Sequence, residues 1–283
     1  MGFFRRERLQ GKTPEQLIKM RAAGLVVGRT LNVLRESTSA GMTTKELDTI
    51  AEEHIRSSGA VPSFLGYHGF TGTICASVNE EIVHGIPGTR VLADGDLISI
   101  DCGAIVDGWH GDAAISFVVG GRDQGRPEDL QLIDATEAAL YAGIAALRVG
   151  ERLFDVGAGV EDEIEAAGER DGRAYGIVED YVGHGIGTAM HMEPNVPNYR
   201  CRDKGPIVVD GTTVAIEPMI TLGDQANDVL EDNWTVVTRD GQRAAHWEHS
   251  VAATTKGLWI MTAVDGGREW LTRLGAPFAP LAD

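Results

Sequence analysis

The feature that most limits what this chain can fold into is a stretch of alternation at 97–117, interrupted by Asp107-Gly108. Asp-Gly between alternating apolar residues is the strongest short-range signal for a two-residue hairpin turn. With those two residues in the turn, Val106 faces Trp109, Asp101 lies opposite Ala114, and Gly103 lies opposite Asp112. One face then carries Ile98, Ile100, Cys102, Val106, Trp109, Ala113, Ile115 and Phe117, and the other carries Ser99, Asp101, Gly103, His110, Asp112 and Ser116. A slip of one residue would mix the two sets, so the partition itself supports the register. Asp101 and Asp112 become diagonal neighbours roughly 7–8 Å apart at Cα. Two carboxylates that close repel unless a cation sits between them. The competing explanation is a sheet face that simply looks at water.

Around the hairpin the chain repeats one order of elements. Thr13-Pro14-Glu15-Gln16 offers an N-cap, a proline at the first helical position and a capping-box glutamine. Leu17, Met20, Gly24, Val27, Leu31 and Leu34 follow at helical spacing. A second helix starts at Thr43 with Glu46 as its capping partner and carries Leu47, Ile50, His54 and Ile55. Short strands broken by glycine and proline are expected from Thr73 to about Gly120. Helices are expected again at 128–147 and 153–168, before a second strand-rich region at 176–263. Helix, helix, strands, twice over, predicts a pseudo-duplicated α+β domain. The expected division is a short basic arm at 1–12 and a single domain at 13–283.

The balance of 42 Asp+Glu against 25 Lys+Arg leaves a net charge of −17, which argues against a protein that wraps DNA or anionic lipid over its whole surface. No run of 18 apolar residues occurs, so no membrane span is expected. The start Met1-Gly2-Phe3-Phe4-Arg5-Arg6-Glu7-Arg8 has basic residues with no apolar stretch behind them and does not read as a secretory signal. Cys75, Cys102 and Cys201 match neither a disulfide framework nor a zinc knuckle, and the cytoplasm is the expected compartment.

Three further segments place ligand-type residues in unusual surroundings. Gly183-His184-Gly185-Ile186-Gly187 sets a histidine among glycines, while Ala215-Ile216-Glu217-Pro218 and Trp247-Glu248-His249 set glutamates inside strand-like runs. A glutamate in an apolar strand is costly to bury unpaired. With Asp101 and Asp112 these make four carboxylates and one imidazole, a ligand set for two divalent first-row metal ions sharing a bridging carboxylate. The absence of cysteine from the set argues against structural zinc.

Five motifs in this order resemble those of the type I bacterial methionine aminopeptidases, members of the pita-bread metallopeptidase family. They are Tyr67-His68-Gly69-Phe70, Val83-His84-Gly85-Ile86-Pro87, the Asp101/Asp112 hairpin, Gly183-His184-Gly185-Ile186-Gly187 with His191 and Glu193-Pro194, and the pair Glu217-Pro218-Met219 and Glu248-His249-Ser250. The resemblance covers nearly the whole chain, from Lys12 to about Gly257. It implies an α+β pita-bread fold, a pseudo-two-fold antiparallel sheet with helices on its outer face. It also implies two divalent ions, Co, Mn or Fe(II), held by Asp101, Asp112, His184, Glu217 and Glu248, with Asp112 and Glu248 bridging.

By the same resemblance His84 contacts the scissile nitrogen and passes a proton to it, His191 hydrogen-bonds the carbonyl oxygen, and Glu217 serves as general base or proton carrier. The reaction implied is removal of the N-terminal methionine from nascent proteins whose second residue is small, by metal-hydroxide attack on the first peptide bond. The methionine pocket falls on Tyr67, Phe70, Cys75, Met190 and Trp234, with Phe70 standing where the family frequently has tyrosine and Met190 where it frequently has an aromatic. A thioether offers shape and polarizability, so both substitutions keep the pocket apolar.

Other histidines divide into neighbours of these motifs, His68, His110 and His249, and packing or surface residues, His54 and His246. The basic residues Arg5, Arg6, Arg8 and Lys12 read as a solvated arm, with transient ribosome contact as the alternative, and the family expectation is a monomer. Proline-specific relatives carry a large extra N-terminal domain, whereas roughly 80 residues precede His84 here. The interval from His191 to Glu217 leaves no space for the helical insertion of the type II enzymes. A catalytically dead pita-bread protein that docks ribosomes or RNA would have lost ligands, and all five are present.

Overall fold

The computed structural model describes residues 9–282. Strands Leu97–Val106 and Trp109–Val118 form the hairpin with the predicted register, from Val106 opposite Trp109 to Leu97 opposite Val118. Asp107 (φ 49°) and Gly108 (φ 78°) both sit in the left-handed region, as a type I′ turn requires.

The hairpin forms one flank of a nine-stranded antiparallel sheet. Its order runs Val61–Pro62, Leu97–Val106, Trp109–Val118, Glu248–Thr254, Thr212–Ile216, Gly183–Gly185, Met192–Val196. Ile74–Val78 pairs with Leu97–Val106, and Gly257–Ile260 pairs with Glu248–Thr254, outside that path. The two halves of the sheet meet between Trp109–Val118 and Glu248–Thr254, where only two residue pairs are in register, Glu248 with Ala114 and His249 with Ala113.

Four long helices accompany the sheet. Helix α1 (Pro14–Ser37) and helix α2 (Thr44–Ser57) start with the predicted capping boxes, Thr13 with Gln16 and Thr43 with Glu46. Helices α3 (Pro127–Ala146) and α4 (Asp155–Asp171) precede the second set of strands, which gives the repeated order read from the sequence. Leu31, Leu34, Leu47, Ile98, Ile100, Ile115, Leu140, Ile144 and Val251 belong to one buried cluster between helices and sheet. Each such side chain contributes about 1.5–3 kcal/mol by leaving water. Helix α1 approaches the hairpin closely where a Cβ on Gly111 would lie 2.7 Å from Gly24 N; a Cβ on Gly24 would lie 2.3 Å from Met261 O, so glycine there also lets the helix approach the segment after Gly257–Ile260.

The polar face of the hairpin does not look at water. Ser99 and Ser116, cross-strand partners, are hydrogen-bonded at 2.8 Å. Ser116 Oγ donates to His246 O at 2.8 Å and accepts from His246 N at 2.9 Å, which ties strand Ala244–His246 of a three-stranded sheet over that face. Among the described residues no helix is long and apolar enough to cross a membrane. Of the basic start, Arg5, Arg6 and Arg8 lie outside the described residues; Lys12 lies within them, its N–H donating to Gly211 O at 2.8 Å.

Candidate metal centre

Strand pairing alone brings the candidate ligands to one face. Ala114 is the partner of Asp101 on one side and of Glu248 on the other, so Asp101, Ala114 and Glu248 form a row. Ala215 is likewise the partner of His184 and of Ser250. Residues directly opposite, and residues two apart on one strand, share a face. Asp112 lies two before Ala114 and Glu248 two before Ser250, while Glu217 follows Ala215 by two, just past the end of its strand. Alanine at the centre of each row leaves the space above it to the longer acidic side chains and the imidazole.

Asp112, His184 and Glu248 each present a donor atom within 4.8 Å of the others. His184 Nδ1 is hydrogen-bonded to Gly185 O at 2.9 Å, which leaves Nε2 for the carboxylates; it lies 3.5 Å from Glu217 Oε1. Asp112 is 4 % exposed and Glu248 2 %. One oxygen on each of Asp101, Asp112 and Glu248 is buried without any hydrogen-bond partner. Buried polar atoms are nearly always paired, and an unpaired buried carboxylate is among the costliest groups in a protein.

The electrostatics follow from this crowding. Burial pushes the carboxyls of Asp112, Glu217 and Glu248 well above the usual carboxylate range, and the neighbouring carboxylates push in the same direction, Asp101 acting on Asp112 and Glu217, and Asp112 on Glu248. Asp101 rises to about 7, chiefly by burial. Burial lowers His184 to about 4, which keeps its imidazole neutral and able to ligate. Orphaned oxygens, mutual repulsion and a neutral imidazole aimed into the same space all fit divalent cations, and carboxylate oxygen with imidazole nitrogen is a donor set such ions accept. Cys75, cross-strand partner of Asp101, has its thiol pushed well up by burial and the nearby carboxylates, so it stays protonated and outside the donor set.

The sequence singles out two further histidines, His84 and His191. His84 has φ 56°, in the left-handed region, and is followed by Gly85, whose N–H donates to Ser77 Oγ at 3.1 Å and whose carbonyl accepts from Ala76 N at 2.9 Å. Non-glycine residues held there persist only where surrounding bonds over-determine them. Burial lowers His84 to about 4. Its ring stands edge-on to Tyr181 at 5.7 Å and to Trp234 at 6.2 Å between centroids. His191 is exposed, lies 4.2 Å from the His184 ring, and is hydrogen-bonded through Nδ1 to the Tyr67 hydroxyl at 2.9 Å.

Beside this centre the five sequence-predicted pocket residues come together. Phe70, Cys75 and Met190 are buried in one cluster with Tyr67 and Trp234 packed against it, and Phe70 meets Trp234 edge-on at 5.0 Å. The cluster contains two residues that sequence reasoning missed, Phe64 and Ile86. Ile86 sits inside a motif already singled out, whereas Phe64 lies in an irregular segment with no periodic signal. Tyr181, against His84, was missed for the same reason.

The other histidines are placed as follows. His110 Nδ1 is hydrogen-bonded to Ser63 Oγ at 3.2 Å, His54 Nδ1 to Thr30 Oγ1 at 2.8 Å, and His68 is exposed beside Tyr67. His246 is a buried packing residue beneath the polar face. His249, next to Glu248, is buried and bonded on both ring nitrogens.

Residues 18–255 match Metallopeptidase family M24. The chain is 54 % identical over 248 residues to methionine aminopeptidase 1 of Mycobacterium tuberculosis, covering 87 % of this chain and 92 % of the relative. It is 46 % identical to methionine aminopeptidase 1 of Bacillus subtilis, covering 89 % and 98 %. Its fold superposes on the crystal structure of methionine aminopeptidase from Thermotoga maritima with a TM-score of 0.84 at 37 % identity, covering 90 % of this chain and 99 % of that one.

Proposed function

The chain belongs to Metallopeptidase family M24 and, within it, to the type I bacterial methionine aminopeptidases with their pita-bread fold, and from that membership we propose how its own residues carry out the activity. It is a methionyl aminopeptidase, a metallo-hydrolase that acts on the N-termini of nascent proteins, and the cytoplasm is the compartment where those N-termini are met. Asp101, Asp112, His184, Glu217 and Glu248 are the residues that would hold two divalent ions. The observation that carries this is the set of three partnerless carboxylate oxygens, on Asp101, Asp112 and Glu248, beside a neutral imidazole. When bound there, divalent ions would supply Lewis-acid chemistry that brings the pKa of water from 15.7 to about 7, so that a hydroxide nucleophile would be available at neutral pH.

The protein's own groups do the rest. Glu217, just past the end of its strand and beside His184 Nε2, takes a proton and holds it as the peptide carbonyl is attacked. His191, its ring fixed by the Tyr67 hydroxyl, donates to the carbonyl oxygen as negative charge grows there. His84 contacts the scissile nitrogen and passes a proton to it. The methionine side chain fills the pocket of Tyr67, Phe70, Cys75, Met190 and Trp234, whose walls are apolar and aromatic. A small second residue fits the peptide beyond it.

The test is direct. Purified protein supplied with Mn(II), Co(II) or Fe(II) is expected to release methionine from Met-Gly-type peptides and to leave N-acetylated peptides intact. Absence of turnover with all three ions overturns the reading.

A further inference from the structure

The seam between the two halves of the sheet is closed by a side chain. Asp112 N–H donates to Ser250 Oγ at 3.0 Å, and the same hydroxyl donates to Asp112 O at 2.8 Å. One hydroxyl thus serves both main-chain groups of Asp112 across the boundary where the ladder has just ended at His249 and Ala113. Ser250's main chain is already committed elsewhere, its N–H to Thr262 Oγ1 at 3.2 Å and its carbonyl to Met261 N at 2.8 Å. Thr262 Oγ1 is also hydrogen-bonded to His249 Nδ1 at 2.8 Å, and His249 Nε2 to the Tyr141 hydroxyl at 3.0 Å. Tyr141 in turn stacks on Trp270 with centroids 4.3 Å apart. Ser250, His249 and Thr262 are all buried.

Resting on the metal reading above, we propose that Ser250 is a positioning residue for the metal centre: its hydroxyl fixes Asp112 relative to Glu248, the two carboxylates that come from opposite halves of the sheet. Ordinary strand pairing cannot do this, because Ser250's N–H is spent on Thr262 Oγ1 and its C=O on Met261 N–H. Without the hydroxyl, the Asp112 peptide N–H and carbonyl are left buried without partners, and the strand shifts to satisfy them. Asp112 then moves away from Glu248, and shared ligation by both suffers. Groups that orient ligands from behind typically change metal affinity by about 10–100-fold.

The experiment is Mn(II) titration by isothermal calorimetry on the purified chain and on Ser250→Ala, Ser250→Cys and Ser250→Thr, with kcat and KM on a Met-Gly-type peptide for each. For Ser250→Ala the expected result is affinity for at least one Mn(II) weakened about 10–100-fold and kcat reduced, with KM within about twofold of wild type. Ser250→Thr, which keeps the hydroxyl, is expected to restore both. Ser250→Cys, nearly isosteric with a weak S–H donor, is expected to fall between them and stands in if the alanine variant is insoluble. Wild-type Mn(II) affinity and kcat in the cysteine and alanine variants, with only thermal stability lowered, would show a merely structural serine and overturn the proposal. A wild-type chain that takes up no Mn(II) overturns the metal reading itself, a result visible before any variant is made.

Discussion

The metal centre and the apolar pocket share a wall, since Asp101 and Cys75 are direct cross-strand partners, yet they are built by opposite means. Asp101, Asp112, His184 and Glu248 stand on paired strands of one sheet, and Glu217 follows one residue after its strand ends. Apart from Cys75, which stands on Ile74–Val78, the pocket is assembled from connections. Phe64, Tyr67 and Phe70 come from the segment before Ile74–Val78, and Met190 from the loop before His191. Trp234 comes from a turn in which Asp232 accepts from the N–H groups of Trp234 and Thr235. Uncompensated buried charge costs several kcal/mol, so donor atoms need placement that a hydrogen-bonded ladder supplies. Apolar walls can repack at small cost, so loops suffice for them.

The largest effect that would sharpen this contrast is expected from Glu248→Ala, which should lower turnover by about 10³-fold and reduce the Mn(II) bound per chain. Metal analysis with a peptide assay checks both, and full metal content would place Glu248 outside the centre. His84→Ala should come next, at about 10²–10³-fold in kcat with metal content unchanged; loss of metal would mean that His84 belongs to the ligand set. Trp234→Ala removes one wall of the pocket and should lower kcat/KM by about 10-fold, mostly through KM, with Mn(II) affinity unaltered. A loss of Mn(II) in that variant would break the separation between the two regions.

The smallest effect concerns pH. In protein stripped by a chelator, the Asp101 carboxyl has its pKa raised from 3.8 to about 7, so over that interval the folded state binds more protons than the unfolded one. Its contribution is fully present below 3.8 and is lost as pH rises through about 7. Buried histidines such as His84 and His184 shift the opposite way, so the contribution is read as the difference between stripped wild type and stripped Asp101→Asn: wild type should lose a few degrees more than the variant between pH 5 and pH 8, about the size of a 1 kcal/mol change. Mn(II) should remove that difference, and a stripped wild type that loses no more than the variant over that window would contradict the account.

Legibility in the sequence followed the same division. The hairpin register could be read residue by residue, because Asp107-Gly108 fixes the turn and alternation fixes the faces. Helix starts at Thr13 and Thr43 were equally plain from their capping boxes. Without the family resemblance, His184, Glu217 and Glu248 stand out in the sequence only as misfits in their local settings, since the rows through Ala114 and Ala215 that join them are long-range pairings with no local signature. The covering of the polar face by Ala244–His246 was not legible, because it depends on two serines meeting a backbone from another sheet. Phe64 had no pattern to betray it.

The hydroxyl that closes the seam joins positions 138 residues apart in the chain. A ribosome that has made only the first half of this protein has made Asp101 and Asp112 but nothing to set against them, and contacts of such long sequence separation form late. Until the strand bearing Glu248 and Ser250 is synthesised and docked, the chain holds two acidic groups with no site around them. On the proposed ligand set, competence to load metal therefore waits for that one strand to dock and arrives in a single late event.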